Sequence, residues 1–446
     1  MIKTSGLAKT PETSAKNHIQ RLREHGLEKL DVYVRSGKKS HLVATLSREG
    51  VRYVLTYLQK TSPKHFVSLS MPVRSQSWIS EGSLHPFFEM NLPEGSRRDE
   101  IAATFGKAMM TENMSLLAIT GNDAIGRVSV VPSGFPLDWK ARFSVNIDSV
   151  MQLDRTDSFF VRAVRDHSAQ GVAGVQPKLL VADDRVTLRA ESWIIKHDGC
   201  DLEWLSVNEY LSMSAARLCG IDVPECVLSR DGKSLFVNRF DRDGLGFEDM
   251  CALMGRHSHE KYSGSMEQLV KVASLIVTDK PRMKEEIIRA IVFNTCIGNG
   301  DAHLKNFGVL YDKDSCSMSP FYDLVSVRAF PNYLDDIPAL SIGNKKEWIL
   351  GKEFKAFTKN INVSPVRVAE IIDEVERGVK AALPLILRMA KDRPEFKDHA
   401  ASMAASWNDG LNHIRGNMSE RDLLWPGFPA SAASSLVFEK VAKPRP

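Results

Sequence analysis

The apolar pattern changes period near residue 263. Upstream, short runs alternate apolar and polar residues between glycine turns; downstream, apolar residues recur mainly at helical spacing, almost without interruption over 353–410. That division predicts an α+β protein with a β-rich lobe, a hinge-like strand and then a helical lobe. In the first part, "LDVYVRSGKKSHLVATLS" from Leu30 reads as a hairpin around a Ser-Gly turn. "LLAITGNDAIGRVSVVP" reads as helix, glycine-rich turn and strand. "ECVLSRDGKSLFVNRFDR" reads as a hairpin on an Asp-Gly turn. Residues 241–262 are polar and have little periodicity.

These patterns divide the chain into five expected parts. Residues 1–28 form an extension with one short helix, and 29–135 a small α+β domain. Residues 136–240 form the β-rich lobe, 241–424 the helical lobe, and 425–446 a flexible Pro- and Ser-rich tail. The formal charge of +4, set by 59 basic against 55 acidic residues, gives no indication of nucleic-acid binding. None of the six cysteines forms a C-x-x-C pair, and several lie among apolar residues. That pattern argues against structural zinc and a disulfide framework and suits reduced thiols. The N-terminus has no apolar run, and no stretch approaches the roughly 20 apolar residues of a membrane span. A cytoplasmic protein is the expectation.

The densest chemistry lies in "IGNGDAHLKNFGVLYD", residues 297–312, directly after an apolar helical run. Phosphoryl transfer needs a carboxylate to orient the incoming hydroxyl, groups that hold Mg²⁺ against the phosphates, and a cation on the phosphate oxygens. Asp301 and Asn306 have the spacing of a D-x-x-x-x-N catalytic loop. Asp323, in "FYDLVS", follows 22 residues after Asp301, across a predicted hairpin that would return it beside Asn306. Oxygen donors suit Mg²⁺ rather than zinc. Upstream, "GVAGVQPK" carries glycines that allow backbone to approach a phosphate, with Lys178 just beyond. Lys196, on the apolar strand "WIIK", has two placements: its head reaches solvent at the strand end, or it points at phosphates. Glu209 on the next helix is either its ion-pair partner or an exposed helix residue.

Together these segments resemble the HipA-like serine/threonine kinases, toxins of bacterial toxin–antitoxin pairs. The resemblance runs through "GVAGVQPKLLV", "WIIK", "NEYLSMSAARLCGIDVPE", "FVNRFDR", "EDM…KY", "FNTCIGNGDAHLKNFGVLY" and "SPFYDLVSV", and covers roughly residues 30–400. The stretch 85–132 resembles the small domain that precedes the kinase in full-length members. The resemblance implies a bilobed kinase fold related to lipid kinases, using ATP and Mg²⁺. It implies Asp301 as catalytic base, with His303, Asn306, Tyr322 and Asp323 at the nucleotide, and Asn306 and Asp323 as metal ligands. Lys196 would contact the phosphates, and the phosphate loop would comprise Ala173, Gly174, Val175, Gln176, Pro177 and Lys178. Asn238, Arg239 and Phe240 match the connecting strand that receives adenine through backbone groups.

The resemblance further implies a protein substrate, among which the family counts aminoacyl-tRNA synthetases. A helix-turn-helix antitoxin would be the partner, so that DNA is met only through it; no membrane is involved. Two positions depart from the family pattern. Gly171 stands where members often carry a self-phosphorylated serine, the nearest serine being Ser168, and Asn238 stands where some have glutamate. Two other readings stay open. One is a small-molecule phosphotransferase, which also uses G-D-x-x-x-x-N but usually has histidine where this chain has Asn299. The other is a catalytically silent co-repressor of a DNA-binding antitoxin.

Overall fold

The computed structural model describes residues 27–93, 113–137, 147–151, 153, 186–189, 192–199, 202–242, 244–348 and 350–415. The N-terminal extension helix, the expected phosphate loop 173–178, Gly171, Ser168 and the tail 425–446 lie outside them. Three antiparallel sheets and a set of long helices make up the rest. Among the described residues no helix is long and apolar enough to cross a membrane.

The first sheet is formed by β1 (Lys29–Ser36), β2 (Lys39–Glu49), β3 (Arg52–Tyr57), β4 (Trp78–Glu81) and β5 (Val128–Pro132), ordered β4-β3-β2-β1-β5. The predicted hairpin at Leu30 is β1–β2, closed at Ser36↔Lys39. Leu30, Val32 and Val34 point to one face, two residues apart, and pack with Leu55, Phe88 and Leu117 in a closed core. The helix Asn113–Thr120 and strand β5 follow the predicted helix–turn–strand order.

The second sheet, ordered β6-β7-β9-β8, holds β6 (Val186–Arg189), β7 (Trp193–His197), β8 (Cys226–Leu228) and β9 (Ser234–Asn238). Lys196 lies near the end of β7, opposite Thr187 on β6 and Leu235 on β9. The third sheet joins β10 (Gly246–Asp249), β11 (Gly308–Tyr311) and β12 (Cys316–Met318). Strand β10 falls inside the stretch with little periodicity. It is four residues long and buried throughout, so it offers no alternation to read. The helical lobe is built on Lys280–Ile297, Pro365–Asp392 and Lys397–Arg415, whose apolar faces meet around Ile287, Phe293, Val375 and Trp407.

Two buried polar clusters join the small domain to the rest of the protein. Arg239 donates to Asp241 Oδ1 and Oδ2 at 3.0 and 2.6 Å and to Ala124 O at 3.0 Å, while Gly126 N–H donates to Asp241 Oδ2 at 2.7 Å. Burial alone would raise Asp241, but the Arg239 guanidinium and the Gly126 N–H hold it below the usual carboxylate range. The second cluster centres on Glu248, fully buried on β10. It accepts from Ser68 Oγ (2.8 Å), Leu69 N–H (2.7 Å) and Tyr311 Oη (2.8 Å).

Desolvation dominates at Glu248 and pushes its carboxyl from an ordinary 4.5 up to about 7, against the pull of those three donors. The folded state therefore holds a proton that the unfolded chain has released between those values. Its contribution is complete below pH 4.5 and is lost as pH rises through 7. The expected loss on the order of 3 kcal/mol across that window should be missing in Glu248→Gln. Urea unfolding at a series of pH values compares the two; parallel curves would remove Glu248 as the titrating group.

Candidate active site

The helix Lys280–Ile297 delivers the loop that carries Asp301. Asp279 caps its N-terminus by accepting from Arg282 N–H, and the helix ends on Gly298, which is left-handed at φ 65°. A side chain at Gly298 would also stand 2.6 Å from Ser406 Oγ. At Gly300 the constraint is stronger, since a Cβ would fall 1.9 Å from the Asp336 carboxylate. The two glycines thus let the chain turn tightly out of the helix and under the 330s segment. Asn299 then bridges back: its amide donates to Asn294 Oδ1 at 3.0 Å, and its Oδ1 accepts from Asp301 N–H at 3.3 Å.

Past Asp301, a short 3-10 turn at Leu304–Asn306 leads into β11. His303 and Asn306 are both buried. Burial holds the His303 imidazole below its ordinary value, assisted by Lys261 and opposed by the charges of Asp301 and Asp323. It is therefore neutral near pH 7. The hairpin β11–β12 returns the chain as predicted, and Tyr322 Oη donates to the Lys305 carbonyl at 2.6 Å. That bond seats Asp323 beside the loop.

Asp323 adopts φ 58°, one of four non-glycine residues with positive φ among those described. Aspartate tolerates this conformation better than most residues, and such strain concentrates where side chains must be aimed. The Asp323 carboxylate meets the Lys196 ammonium. The same ammonium bonds Glu209 Oε1 at 2.6 Å from the helix Leu205–Leu218. With side-chain exposures of 12% for Lys196 and 1% for Glu209, the Lys196 ammonium is turned inward rather than out to solvent. One cation from the β-rich lobe thus faces a carboxylate from the helical lobe, and Glu209 aims it.

The donor set fits Mg²⁺. Asn306 Oδ1 is buried with no hydrogen-bond partner among the described residues, and the Asp323 carboxylate, 45% exposed, follows Tyr322, which is bonded to the Lys305 carbonyl. Mg²⁺ typically takes one or two protein oxygens and completes its shell with water and phosphate. His303 Nδ1 is likewise buried and without a partner there.

The connecting-strand residues are held by the second sheet and its neighbours. Arg239 N–H donates to Ser192 O at 2.9 Å, and its guanidinium bonds Asp241 and Ala124 at the junction with the small domain. Asn238 N–H donates to Glu225 O at 2.8 Å. The Phe240 ring lies tilted against Tyr322 at 5.8 Å and against Phe247 at 5.9 Å, forming an aromatic wall that includes the residue preceding Asp323. Lys305, drawn from the same dense stretch, donates to Ser258 Oγ at 3.3 Å. Sequence reasoning passed over Tyr262, whose hydroxyl donates to Asp301 Oδ1 at 2.7 Å. Its only signal was the "KY" pair, 39 residues upstream and without periodicity linking it to the loop.

A lysine-bearing β lobe set over a helical lobe with Asp301, Asn306 and Asp323 defines a bilobed, kinase-like α+β protein. The family model of the HipA-like C-terminal domain matches residues 170–383, and that of the HipA N-terminal domain matches residues 30–131. The serine/threonine-protein kinase toxin HipA of Shewanella oneidensis is 23% identical over 401 residues, 82% of this chain and 90% of that protein. The Sinorhizobium fredii protein Y4dM is 31% identical over 289 residues, which span 59% of this chain and 66% of that relative's length. Among solved structures, HipA in complex with HipB and operator DNA, from Shewanella oneidensis, shares the fold with a TM-score of 0.67. The identity there is 19%, and the match covers 87% of this chain and 97% of that one. The chain belongs to the HipA-like kinase family.

Proposed function

We propose that this protein is a Mg·ATP-dependent protein serine/threonine kinase. The observation that carries the reading is the Lys196 ammonium, held at once by Glu209 and by Asp323 across the cleft from the Asp301 loop. In the proposed step Asp301 orients an acceptor hydroxyl and takes its proton as the new O–P bond forms. Lys196 meets the charge on the phosphate oxygens, and neutral His303 lies beside them. Asn306 and Asp323 would hold Mg²⁺, which when bound neutralises charge on the transferring phosphoryl group. The aromatic wall of Phe240, Phe247 and Tyr322 would shield the base end of the nucleotide. By resemblance, the segment 173–178 would supply the phosphate loop.

A protein acceptor and an antitoxin partner follow from the family rather than from the site. The relative in Shewanella oneidensis was solved together with HipB and operator DNA. The test is phosphotransfer from γ-labelled ATP into a bacterial lysate. One labelled lysate protein, lost with Asp301→Ala, supports the reading. Label confined to small molecules replaces it with a small-molecule phosphotransferase, and ATP binding without any transfer replaces it with a silent binding partner.

Asp323 gives a separate check on the metal. Asp323→Asn keeps a residue tolerant of the left-handed conformation but removes the charge. Mg²⁺-dependent ATP affinity by titration calorimetry should fall at least about 100-fold, the upper range seen even for outer-shell partners of a metal. Affinity in EDTA should change little. Equal affinities with Mg²⁺ would remove Asp323 from the metal site.

A further inference from the structure

The turn from His257 to Tyr262 is hooked onto the catalytic loop at four positions along it. Tyr262 Oη donates to Asp301 Oδ1 at 2.7 Å, and the Tyr262 ring stands edge-on to His303 at 5.1 Å and 80°. Leu304 N–H donates to the Lys261 carbonyl at 3.1 Å, and Lys305 Nζ donates to Ser258 Oγ at 3.3 Å. The turn is itself rigid. A capping box closes it, with His257 N–H donating to Glu260 Oε2 at 3.0 Å, and Ser258 N–H donates to Glu89 Oε1 of the small domain at 3.2 Å.

Asp301 itself is exposed, and an aspartate on a solvated loop samples several rotamers. Its backbone is fixed through Asn299, but among the described residues its carboxylate is fixed only by Tyr262. The bond falls on Oδ1, which leaves Oδ2 without a hydrogen bond among those residues. We propose that Tyr262 is a positioning residue for phosphoryl transfer, its hydroxyl holding Asp301 through Oδ1 so that Oδ2 receives the acceptor's proton. The inference rests on the kinase reading. In the step it serves, the acceptor oxygen bonds to the γ-phosphorus as its proton passes to Oδ2. The bond to the bridging oxygen breaks, and that electron pair leaves with ADP.

Tyr262→Phe removes the donor and keeps the ring against His303. The turnover number toward the lysate protein that the wild type labels should fall about tenfold, well within what mispositioning of a reacting group costs. Mg·ATP affinity and the unfolding midpoint should stay as in the wild type. Unchanged turnover, a rise in turnover, or a fall matched by lost nucleotide affinity would each overturn the proposal. Carboxyl-carbon NMR of the aspartates, with Asp301 assigned through Asp301→Asn, tests the contact without turnover. The Asp301 resonance should move in Tyr262→Phe, and a resonance that stays put would also overturn it. A wild type that shows this NMR response but transfers no phosphoryl group would sink the kinase reading, and with it the catalytic role, while the contact itself stands.

Discussion

Asp301→Ala is expected to lower phosphoryl transfer about a thousandfold, the middle of the range for loss of a positioned acid–base group. Stability should change by less than about 0.5 kcal/mol, because the side chain is exposed and substitutions of that kind are usually near neutral. The bond from the Asp301 backbone N–H to Asn299 Oδ1 stays, and the Tyr262 hydroxyl that loses the carboxylate belongs to a solvent-exposed pair. Activity is read from γ-labelled ATP and stability from urea unfolding of the same preparation. Wild-type transfer in this variant would strip Asp301 of its role. A large loss of stability would make the activity result a folding effect.

Lys196→Met should remove both activity and stability. The ammonium joins Glu209, at 1% exposure, to Asp323, so its loss removes the cation paired with a buried carboxylate. Breaking a buried pair from one side costs about 3–5 kcal/mol, whereas replacing both members by apolar residues is often neutral. Lys196→Met/Glu209→Leu should therefore recover most of the unfolding free energy and none of the phosphotransfer. A double variant as unstable as the single one would mean that Glu209 matters through other contacts. A double variant with restored transfer would show that Lys196 does not act on the phosphates.

The two glutamates involved in buried clusters show how differently the sequence speaks. Glu209 was legible as a candidate, because it lies on the first helix after the lysine strand. Glu248 was not, because its partners Ser68 and Leu69 lie about 180 residues upstream and nothing local marks the pairing. Arg239 is a different case. The resemblance along "FVNRFDR" concerns only its backbone groups, and nothing in it pointed to the guanidinium, which Asp241 two residues on engages as a buried partner. The stretch around β10 failed for another reason: a four-residue strand buried on both faces has no period to detect.

Sequence alone determined the features that depend on residues a few positions apart. These are the hairpins at Ser36–Lys39 and Cys226–Asn238, the helix that ends on Gly298, and the five-residue spacing of Asp301 and Asn306. Backbone geometry and side-chain period act over that range. The tertiary structure decided which distant groups meet. Lys196 joins Asp323 across 127 residues, and Tyr262 reaches Asp301 across 39. Such pairings are set by how whole lobes pack their apolar faces, and only that packing brings a polar atom of one element within about 3 Å of an atom in another.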